Sequence, residues 1–129
     1  MKFKTETNPS VGNIIAGRDN TIMGDNNLVV GTNHHVSDTI DNAIIAGDGA
    51  KVDENTVFAV GQGVYTPTND QTPAQGLEYY TKDENNYFHK ATDITAFDPN
   101  KTYYTQTPSN TLEINRQGKM LINNKMILP

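Results

Sequence analysis

The stretch Asn13-Ile14-Ile15-Ala16-Gly17 decides how the rest of this 129-residue chain is interpreted. Its pattern of Asn, apolar residues and Gly recurs at steps of seven residues, as Asn20-Thr21-Ile22-Met23-Gly24 and Asn27-Leu28-Val29-Val30-Gly31. The register then slips by two residues near His34-His35. The pattern returns, fourteen residues apart, as Ala43-Ile44-Ile45-Ala46-Gly47 and Val57-Phe58-Ala59-Val60-Gly61. We predict one repetitive shaft over residues 13–63.

The composition of these units excludes a helix. A period of seven is typical of coiled coils, but those need uninterrupted helix formers, and each Gly in a helix costs about 1 kcal/mol. Short strands closed by turns suit the units better, and their stacking predicts an all-β fold with a β-roll or β-helix-like shaft. Because Gly tolerates positive φ, we predict equivalent turn positions for five glycines. These are Gly17, Gly24, Gly31, Gly47 and Gly61.

The spacing separates this shaft from two familiar solenoids. Left-handed β-helices of hexapeptide acyltransferases step by six residues, and the calcium-binding nonapeptide roll needs a G-G-x-G-x-D pattern, of which Gly47-Asp48-Gly49 is only a fragment. The shaft instead resembles the roll of trimeric adhesin heads, with its fourteen-residue coils of the type N-x-(V/I)-(A/V)-x-G. Similar runs occur in bacteriophage head and tail fibres. This resemblance implies a homotrimer.

A homotrimer is also expected from the small core. Hydrophobic residues make up 35% of the chain, and a few thin coils bury little surface. We predict that one chain cannot cover its apolar shaft residues, so that identical neighbours cover them. The residues concerned are Ile14, Ile22, Val29, Ile44 and Val57.

Composition also excludes several kinds of function. The absence of Cys excludes disulfides, thiol catalysis and Cys-ligated metals. A net charge of −5 without a basic cluster argues against nucleic acid as a partner. No apolar run approaches the roughly 20 residues of a membrane span, and residues 1–6 lack the apolar region of a signal peptide. We expect no membrane insertion and no cofactor.

His34 and His35 lie where the register slips. Adjacent residues of a strand point to opposite faces, so at most one of them can face a three-fold axis. A metal site on that axis is the alternative to a bulge or a turn. We predict bulge or turn residues, and no metal site.

A composition change marks an inserted Tyr-rich β-module over residues 64–108. It begins with a linker rich in turn residues, among them Pro67 and Pro73. We predict four strands after this linker. They lie at Glu78-Tyr79-Tyr80-Thr81, Tyr87-Phe88-His89-Lys90, Ile94-Thr95-Ala96-Phe97 and Thr102-Tyr103-Tyr104-Thr105. The segment resembles a small β-module with paired Tyr-Tyr-Thr strands in structural proteins of phages that infect Gram-positive bacteria.

The tyrosines of this module have two interpretations. They can form the core of a small domain, or they can offer rings and hydroxyls to a sugar. The candidates for such a ligand surface are Tyr79, Tyr80, Tyr87, Tyr103 and Tyr104.

The two ends of the chain complete the predicted organisation. Residues 1–12 form an N-terminal arm that is either disordered, paired along the roll or attached to a larger particle. Residues 109–129 resemble the S-N-x-L-x-I-x-x-x-G-K-x-x-I hairpin of phage fibre proteins, which commonly follows V-G-x-G, here Val60-Gly61-Gln62-Gly63. That resemblance implies that the shaft resumes at Ser109. Turns are expected at Arg116-Gln117-Gly118 and at Asn123-Asn124.

No catalytic motif is present, since G-x-S-x-G, H-E-x-x-H and the phosphate loop are all missing. We expect a non-enzymatic structural protein of the phage virion, a head or tail fibre or spike that contacts the host surface. Its expected partners are its own copies, other virion proteins of capsid or tail, and a host surface glycan. The alternatives are a bacterial cell-surface trimeric adhesin head and a carbohydrate-active tail-spike enzyme.

Overall fold

A computed structural model describes residues 10–92 and 94–127 of this chain. Within these ranges it contains strands and no helix, which confirms the all-β prediction. Thirteen strands follow one another along the described residues. They are β1 (Ile14–Arg18), β2 (Thr21–Ile22), β3 (Leu28–Thr32), β4 (His35–Val36), β5 (Ile44–Asp48), β6 (Thr56–Gln62), β7 (Val64–Pro67), β8 (Tyr79–Lys82), β9 (Phe88–Ala91), β10 (Tyr104–Thr107), β11 (Asn110–Asn115), β12 (Met120–Ile122) and β13 (Lys125–Met126).

The chain divides into two compact units. The shaft unit comprises the chain up to Gly63 together with the segment from Pro108 onward, and the module comprises Val64–Thr107. The predicted division placed Pro108 in the module, one residue later than the observed boundary. Val64 pairs with Thr107 inside the module, so its two ends lie side by side. In the shaft unit, the Gln62 N–H donates to the Ser109 carbonyl over 2.8 Å.

The shaft is a stack of coils whose strands pair in parallel. β1, β3, β5 and β6 lie in that order in one sheet, and Ile14, Leu28, Ile44 and Phe58 occupy one row across them. A second, two-stranded sheet of β2 and β4 forms the other side of the first two coils. The predicted stacked, β-helix-like arrangement is therefore confirmed. Two seven-residue units make one coil, because successive units contribute strands to different sheets.

The two-residue slip lies beyond the histidines. Thr21 pairs with His35 and Ile22 with Val36, so these positions keep the fourteen-residue spacing. The extra residues lie between Val36 and Ile40, where the chain turns and the Ile40 N–H donates to the Ser37 carbonyl. A corner exposed to solvent accommodates such an insertion without disturbing either sheet.

The inside of the coils is a narrow aliphatic core. Alternate residues of each strand point inward, and Val29, Ile45 and Ala59 are fully buried there. The remaining core residues come from the second side of the coils and the corners. They are Ile22, Val36, Ile40, Ala43 and Ala50, with Ile15 and Val52 packed against them.

Buried Asn side chains join each coil to the next. The Asn13 Oδ1 accepts the Asn27 N–H, and the Asn27 Oδ1 accepts the Ala43 N–H, both over 2.9 Å. Their amide nitrogens donate to the carbonyls of Gly24 and Ile40. Asn27 is only 2% exposed, so these bonds satisfy backbone groups that water cannot reach. This ladder explains the recurring Asn of the motif.

Gly17, Gly31 and Gly47 have the positive φ that was expected, but four of the five repeated glycines do not lie at turns. Gly17, Gly31, Gly47 and Gly61 lie inside strands, and Gly24 lies on the other side of the coil. A Cβ on Gly31 would stand 1.9 Å from the Gly47 carbonyl oxygen, and one on Gly24 would stand 1.7 Å from that of Ile40. The recurring Gly thus reflects close approach of neighbouring coils. Residues such as Asp19, Asn26, Asn33 and Asn42 hold the left-handed corner conformations instead.

The shaft unit ends in antiparallel strands. β11 pairs with β6, and β12 and β13 extend the sheet to seven strands. The turn after β11 contains Gly118, and Asn123 and Asn124 both have positive φ between β12 and β13, as a two-residue hairpin loop requires. Reversal of strand direction ends the parallel stack at that side.

The first residues of the described chain join the shaft. The Val11 N–H donates to Asp25 Oδ1, and the Val11 carbonyl accepts the Asn26 N–H. Residues 10–12 therefore pair along the first coil. The rest of the predicted arm, residues 1–9, lies outside the described residues.

The module is a separate four-stranded antiparallel sheet in the order β7, β10, β8, β9. Three of its predicted strands exist at shifted bounds. The strand predicted at 94–97 is wrong, because the described residues there bend and Phe97 packs its ring against Tyr79 and Tyr103. Val64–Pro67 forms the fourth strand instead, although part of it was assigned to the linker. As an outermost strand β7 tolerates Pro67, which lacks an N–H.

Candidate functional site

The outer side of the seven-stranded sheet carries a continuous apolar face, here called the apolar stripe. Each of six strands contributes two residues to it, and paired residues share a face. Its members are Ile14, Ala16, Leu28, Val30, Ile44, Ala46, Phe58, Val60, Leu112, Ile114, Met120 and Ile122. None of them is buried. Six strands spaced about 4.8 Å apart make the stripe roughly 24 Å long.

The exposure of the stripe is unusual for a protein in water. Ile14 is 69% exposed, and Leu28, Ile44, Met120 and Ile122 range from 37% to 43%. Monomeric proteins rarely expose a contiguous apolar patch larger than a few hundred Å². The next row along the strands is polar, since Arg18, Thr32, Asp48 and Gln62 follow the stripe. The stripe is therefore narrow and sharply bounded on that side.

The five apolar residues that were predicted to require burial by neighbouring chains fall into two groups. Ile22 and Val29 are fully buried inside the coils, so their predicted exposure within one chain is wrong. Ile14 and Ile44 belong to the stripe, and Val57 is half-buried. Residues of a strand point alternately inward and outward. Since the motif places its Gly at a constant distance from the apolar residues, the same alternation could have been read from the sequence.

Most of the candidate ligand tyrosines belong to the module core. Tyr79, Tyr80 and Tyr103 are 1%, 3% and 7% exposed, which corrects their predicted place on a ligand surface. The Tyr79 hydroxyl donates to Asp70 Oδ2 and accepts the Ala74 N–H, and the Tyr103 hydroxyl accepts the Asp98 N–H. These hydroxyls are used internally because a buried donor or acceptor without a partner is costly. Only Tyr87, 62% exposed, and the half-buried Tyr104 reach the surface.

One face of the module sheet carries a cluster of stacked rings. Tyr65 stacks on Phe88 with centroids 4.0 Å apart, and Phe88 meets the edge of Tyr104 at 5.0 Å. The Lys82 Nζ lies 5.3 Å from the centroids of both Phe88 and Tyr104, within range of a cation–π interaction. Sequence reasoning predicted Phe88 as part of the aromatic core but missed Tyr65 and Lys82, because neither lies in the Tyr-Tyr-Thr pairs.

A cleft of about 420 Å³ opens beside this cluster, and we call it the lysine cleft. Lys82 and Tyr104 form one side, and the turn that carries Lys101 forms the other. Its lining residues are Thr81, Lys82, Asn100, Lys101, Thr102 and Tyr104, with no carboxylate among them. A second cleft, of about 320 Å³, shares Lys101 but includes Asp70 and Asp98.

The turn between β8 and β9 is organised by one carboxylate. The Asp83 Oδ1 accepts the N–H groups of Asn85 and Tyr87, and its Oδ2 lies 2.6 Å from His89 Nε2. The Tyr87 N–H and the His89 side chain hold the pKa of Asp83 below its usual value. This pair fixes the hairpin, and both its members are engaged within the turn.

His34 takes the place of an Asn in the second row of the ladder. The Asn20 Oδ1 accepts the His34 N–H, and the His34 Nδ1 accepts the Ala50 N–H of the following coil. The Nε2 lies 3.0 Å from the Val30 carbonyl, so the tautomer that satisfies both bonds carries its proton on Nε2. Burial lowers the pKa of His34 below 6.5, against weaker opposing contributions from the Val30 carbonyl and Asp48.

The predicted bulge or turn therefore does not apply to the histidines. His35 lies in β4 and is exposed, whereas His34 is a buried ladder residue with both ring nitrogens engaged. Among residues 10–92 and 94–127, no group of three or more His, Asp or Glu side chains could hold a metal ion. Across the same part of the chain, no helix could cross a membrane.

The chain was compared with protein families, curated proteins and solved structures. No family model, no curated protein and no solved structure matches it. The function is therefore inferred from the apolar stripe and from the module.

Proposed function

We propose that this chain is a non-enzymatic structural protein of a phage virion, a head or tail fibre or spike that assembles from three parallel copies. The apolar stripe is the single observation that carries this proposal. Full burial of one Ile or Leu contributes about 1.5–3 kcal/mol, and five such long side chains of the stripe are exposed in a single chain. Because these side chains are between 37% and 69% exposed, burial of the exposed part contributes about 3–7 kcal/mol per chain, which is comparable with the lower part of the stability range of a small domain, about 5–15 kcal/mol.

Copies of the same chain are the partner that fits the stripe best. The stripe contains no charged or polar side chain, and its rows repeat at the strand spacing, which a second copy shares. A band only two residues wide suits convergence of three such bands on one axis. The number three also follows the resemblance of the shaft to trimeric adhesin heads and phage fibres.

The module supports a projecting role for the assembly. It is a compact unit whose two ends pair with each other, so a shaft can carry it without interruption. Its exposed side chains, Tyr87 and the residues of the lysine cleft, form the surface that contacts the host in this proposal.

Electron microscopy of virions labelled with antibody to this chain tests the proposal. Label on the head or on the tail of phage particles is the expected result. Label confined to the surface of uninfected bacteria would favour the alternative of a trimeric adhesin head. Release of sugars from a host polysaccharide by the purified protein would contradict the non-enzymatic assignment.

A further inference from the structure

The lysines of the module have an uneven set of partners. Lys90 pairs with Glu78 over 3.3 Å and is largely covered, with 10% of its side chain exposed. Within the described residues, no carboxylate forms an ion pair with Lys82 or Lys101. These two cations line the same cleft. The chain has a net charge of −5, yet Lys82 and Lys101, the two module lysines without an ion pair in the described residues, lie together in the lysine cleft.

The neighbouring carboxylates are occupied elsewhere. Asp70 accepts the Tyr79 hydroxyl, Asp83 is engaged with His89, and Asp98 accepts the Asn100 N–H. The lining of the lysine cleft contains hydroxyl and amide groups in place of carboxylates. An anionic group entering the cleft therefore meets two ammonium groups and neutral donors, with no acidic side chain in the wall.

Both sides of the cleft are held in place before any ligand binds. The Lys82 ammonium lies over the rings of Phe88 and Tyr104. The turn that carries Lys101 is closed by the Lys101 N–H, which donates to the Asp98 carbonyl, while the Asp98 N–H donates to the buried Tyr103 hydroxyl. A site with fixed walls loses less entropy on binding than a flexible one.

We infer that the lysine cleft binds an anionic saccharide, with Lys82 and Lys101 contacting its phosphate or carboxylate. The Tyr104 ring and the amide and hydroxyls of Asn100, Thr81 and Thr102 contact the sugar. Rings beside hydroxyl and amide groups suit a pyranose, which has apolar C–H faces and a rim of hydroxyls. The inference deepens the host-contact part of the proposed function and depends on it only for the biological source of the sugar.

Titration of the full chain, followed by NMR or calorimetry, tests the site. The probes are glucose 6-phosphate, glucuronate, glucose and inorganic phosphate. We expect the two charged sugars to bind more tightly than glucose and than inorganic phosphate, and their affinity to fall with added salt. The ratio between glucose 6-phosphate and glucuronate identifies the preferred anion.

Charge-neutral variants localise the binding. K82Q and K101Q should each weaken binding of the charged sugars by about fivefold, as expected for one exposed ionic contact. K119Q, in the hairpin turn of the shaft unit, makes the same charge change away from the cleft and should bind as the parent does. Y103F should weaken binding modestly if the turn positions Lys101.

Several results would overturn the inference. They are absence of binding by both charged sugars at about 50 mM, equal losses in K101Q and K119Q, or inorganic phosphate binding as well as glucose 6-phosphate. The chain mass in solution is measured on the same samples. Failure of binding by a trimer would remove the sugar site alone, whereas a monomer that still binds would remove the proposed assembly alone.

Discussion

The shaft unit and the module satisfy their buried polar groups by different means. In the shaft, amide side chains such as Asn27 bond to the backbone of the neighbouring coil, and the same bond recurs from coil to coil. In the module, the hydroxyls of Tyr79 and Tyr103 close individual loops at Asp70 and Asp98. A hydrogen bond that recurs from coil to coil leaves a periodic residue in the sequence. Hydrogen bonds that each occur once leave no such pattern.

The two units also differ in the side chains at their contacts. Neighbouring shaft coils meet at glycine, whereas aromatic rings such as Tyr65 and Phe88 stack on each other in the module. The shaft should therefore be sensitive to one added methyl group, and the module should be more sensitive to the loss of large rings.

The largest expected effect is that of Gly31→Ala. The new Cβ would stand 1.9 Å from the Gly47 carbonyl oxygen, at a φ of 116°, so the coils must separate. We expect a loss of about 3 kcal/mol or more in the free energy of unfolding, measured by chemical denaturation at fixed chain concentration.

Gly118→Ala is the matched control. Gly118 also has a positive φ, of 77°, but a Cβ there meets nothing within 4 Å. The strain alone should cost about 1–2 kcal/mol. Equal losses in the two variants would show that φ, and not close approach, selects glycine in the shaft.

Replacement of Asn27 by Ala should have the next largest effect. It removes the acceptor of the Ala43 N–H and the donor to the Ile40 carbonyl, and both groups remain buried. A buried polar group without a partner costs about 1–3 kcal/mol, so we expect a loss of about 2–4 kcal/mol.

Y103F provides the comparison with Asn27 inside the module. It removes one hydroxyl that accepts the Asp98 N–H near the surface, and should cost about 1 kcal/mol. A larger loss for Y103F than for Asn27→Ala would contradict the idea that the shaft depends on its amide ladder.

Burial of His34 in the ladder also predicts that the stability of the fold depends on pH. The folded chain lowers the pKa of His34, so as pH falls below about 6.5 the unfolded chain binds the proton first. Stability should therefore decrease as pH falls through this range, and should level off below the folded pKa. Melting temperatures between about pH 7.5 and pH 5 measure this trend.

His34→Asn is the informative variant for that measurement. Asn20 already shows that an amide serves in the same row, donating to the Gly31 carbonyl and accepting the His34 N–H. The variant should fold and lose the part of the acid sensitivity that His34 causes. An unchanged pH profile would show that His34 does not cause the acid sensitivity.

Removal of the module should have the smallest effect on the shaft. Joining Gly63 to Pro108 through a short Gly-Ser linker bridges two segments that already lie together, since the Gln62 N–H donates to the Ser109 carbonyl. The deletion product should keep the three-chain stoichiometry of the parent, with a mass smaller only by the removed residues, and nearly the same melting temperature. Aggregation or dissociation, measured by light scattering, would show that the module stabilises the shaft.

The sequence predicts the structure of the shaft unit better than that of the module. The Asn and Gly spacing predicts stacked coils because each coil repeats one backbone geometry. The spacing does not show that Gly24 and Gly31 lie on different sides of a coil. Both units have the same seven-residue pattern, although a complete coil contains two of them. The role of His34 was also missed. His34 replaces an Asn of the ladder, so the recurring Asn of the motif is absent at that position.

The module was less predictable for a physical reason. Alternation distinguishes the two faces of a strand, but adjacent residues such as Tyr79 and Tyr80 are both buried, so the pattern gives no exposed side. The cleft depends on a turn meeting a strand end, at Lys101 and Lys82, which are distant in sequence. No local pattern in the sequence indicates such a meeting.

Sedimentation equilibrium of the parent and of two matched variants tests whether the apolar stripe is the interface between three copies. The parent should have three times the chain mass of 14.2 kDa. Leu28→Glu, on the stripe, should dissociate because it brings three carboxylates into an apolar interface, whereas Leu77→Glu, an exposed leucine of the module, should remain a trimer. A parent that stays a monomer at micromolar concentration, or a trimer unaffected by Leu28→Glu, would show that the apolar stripe does not join three copies.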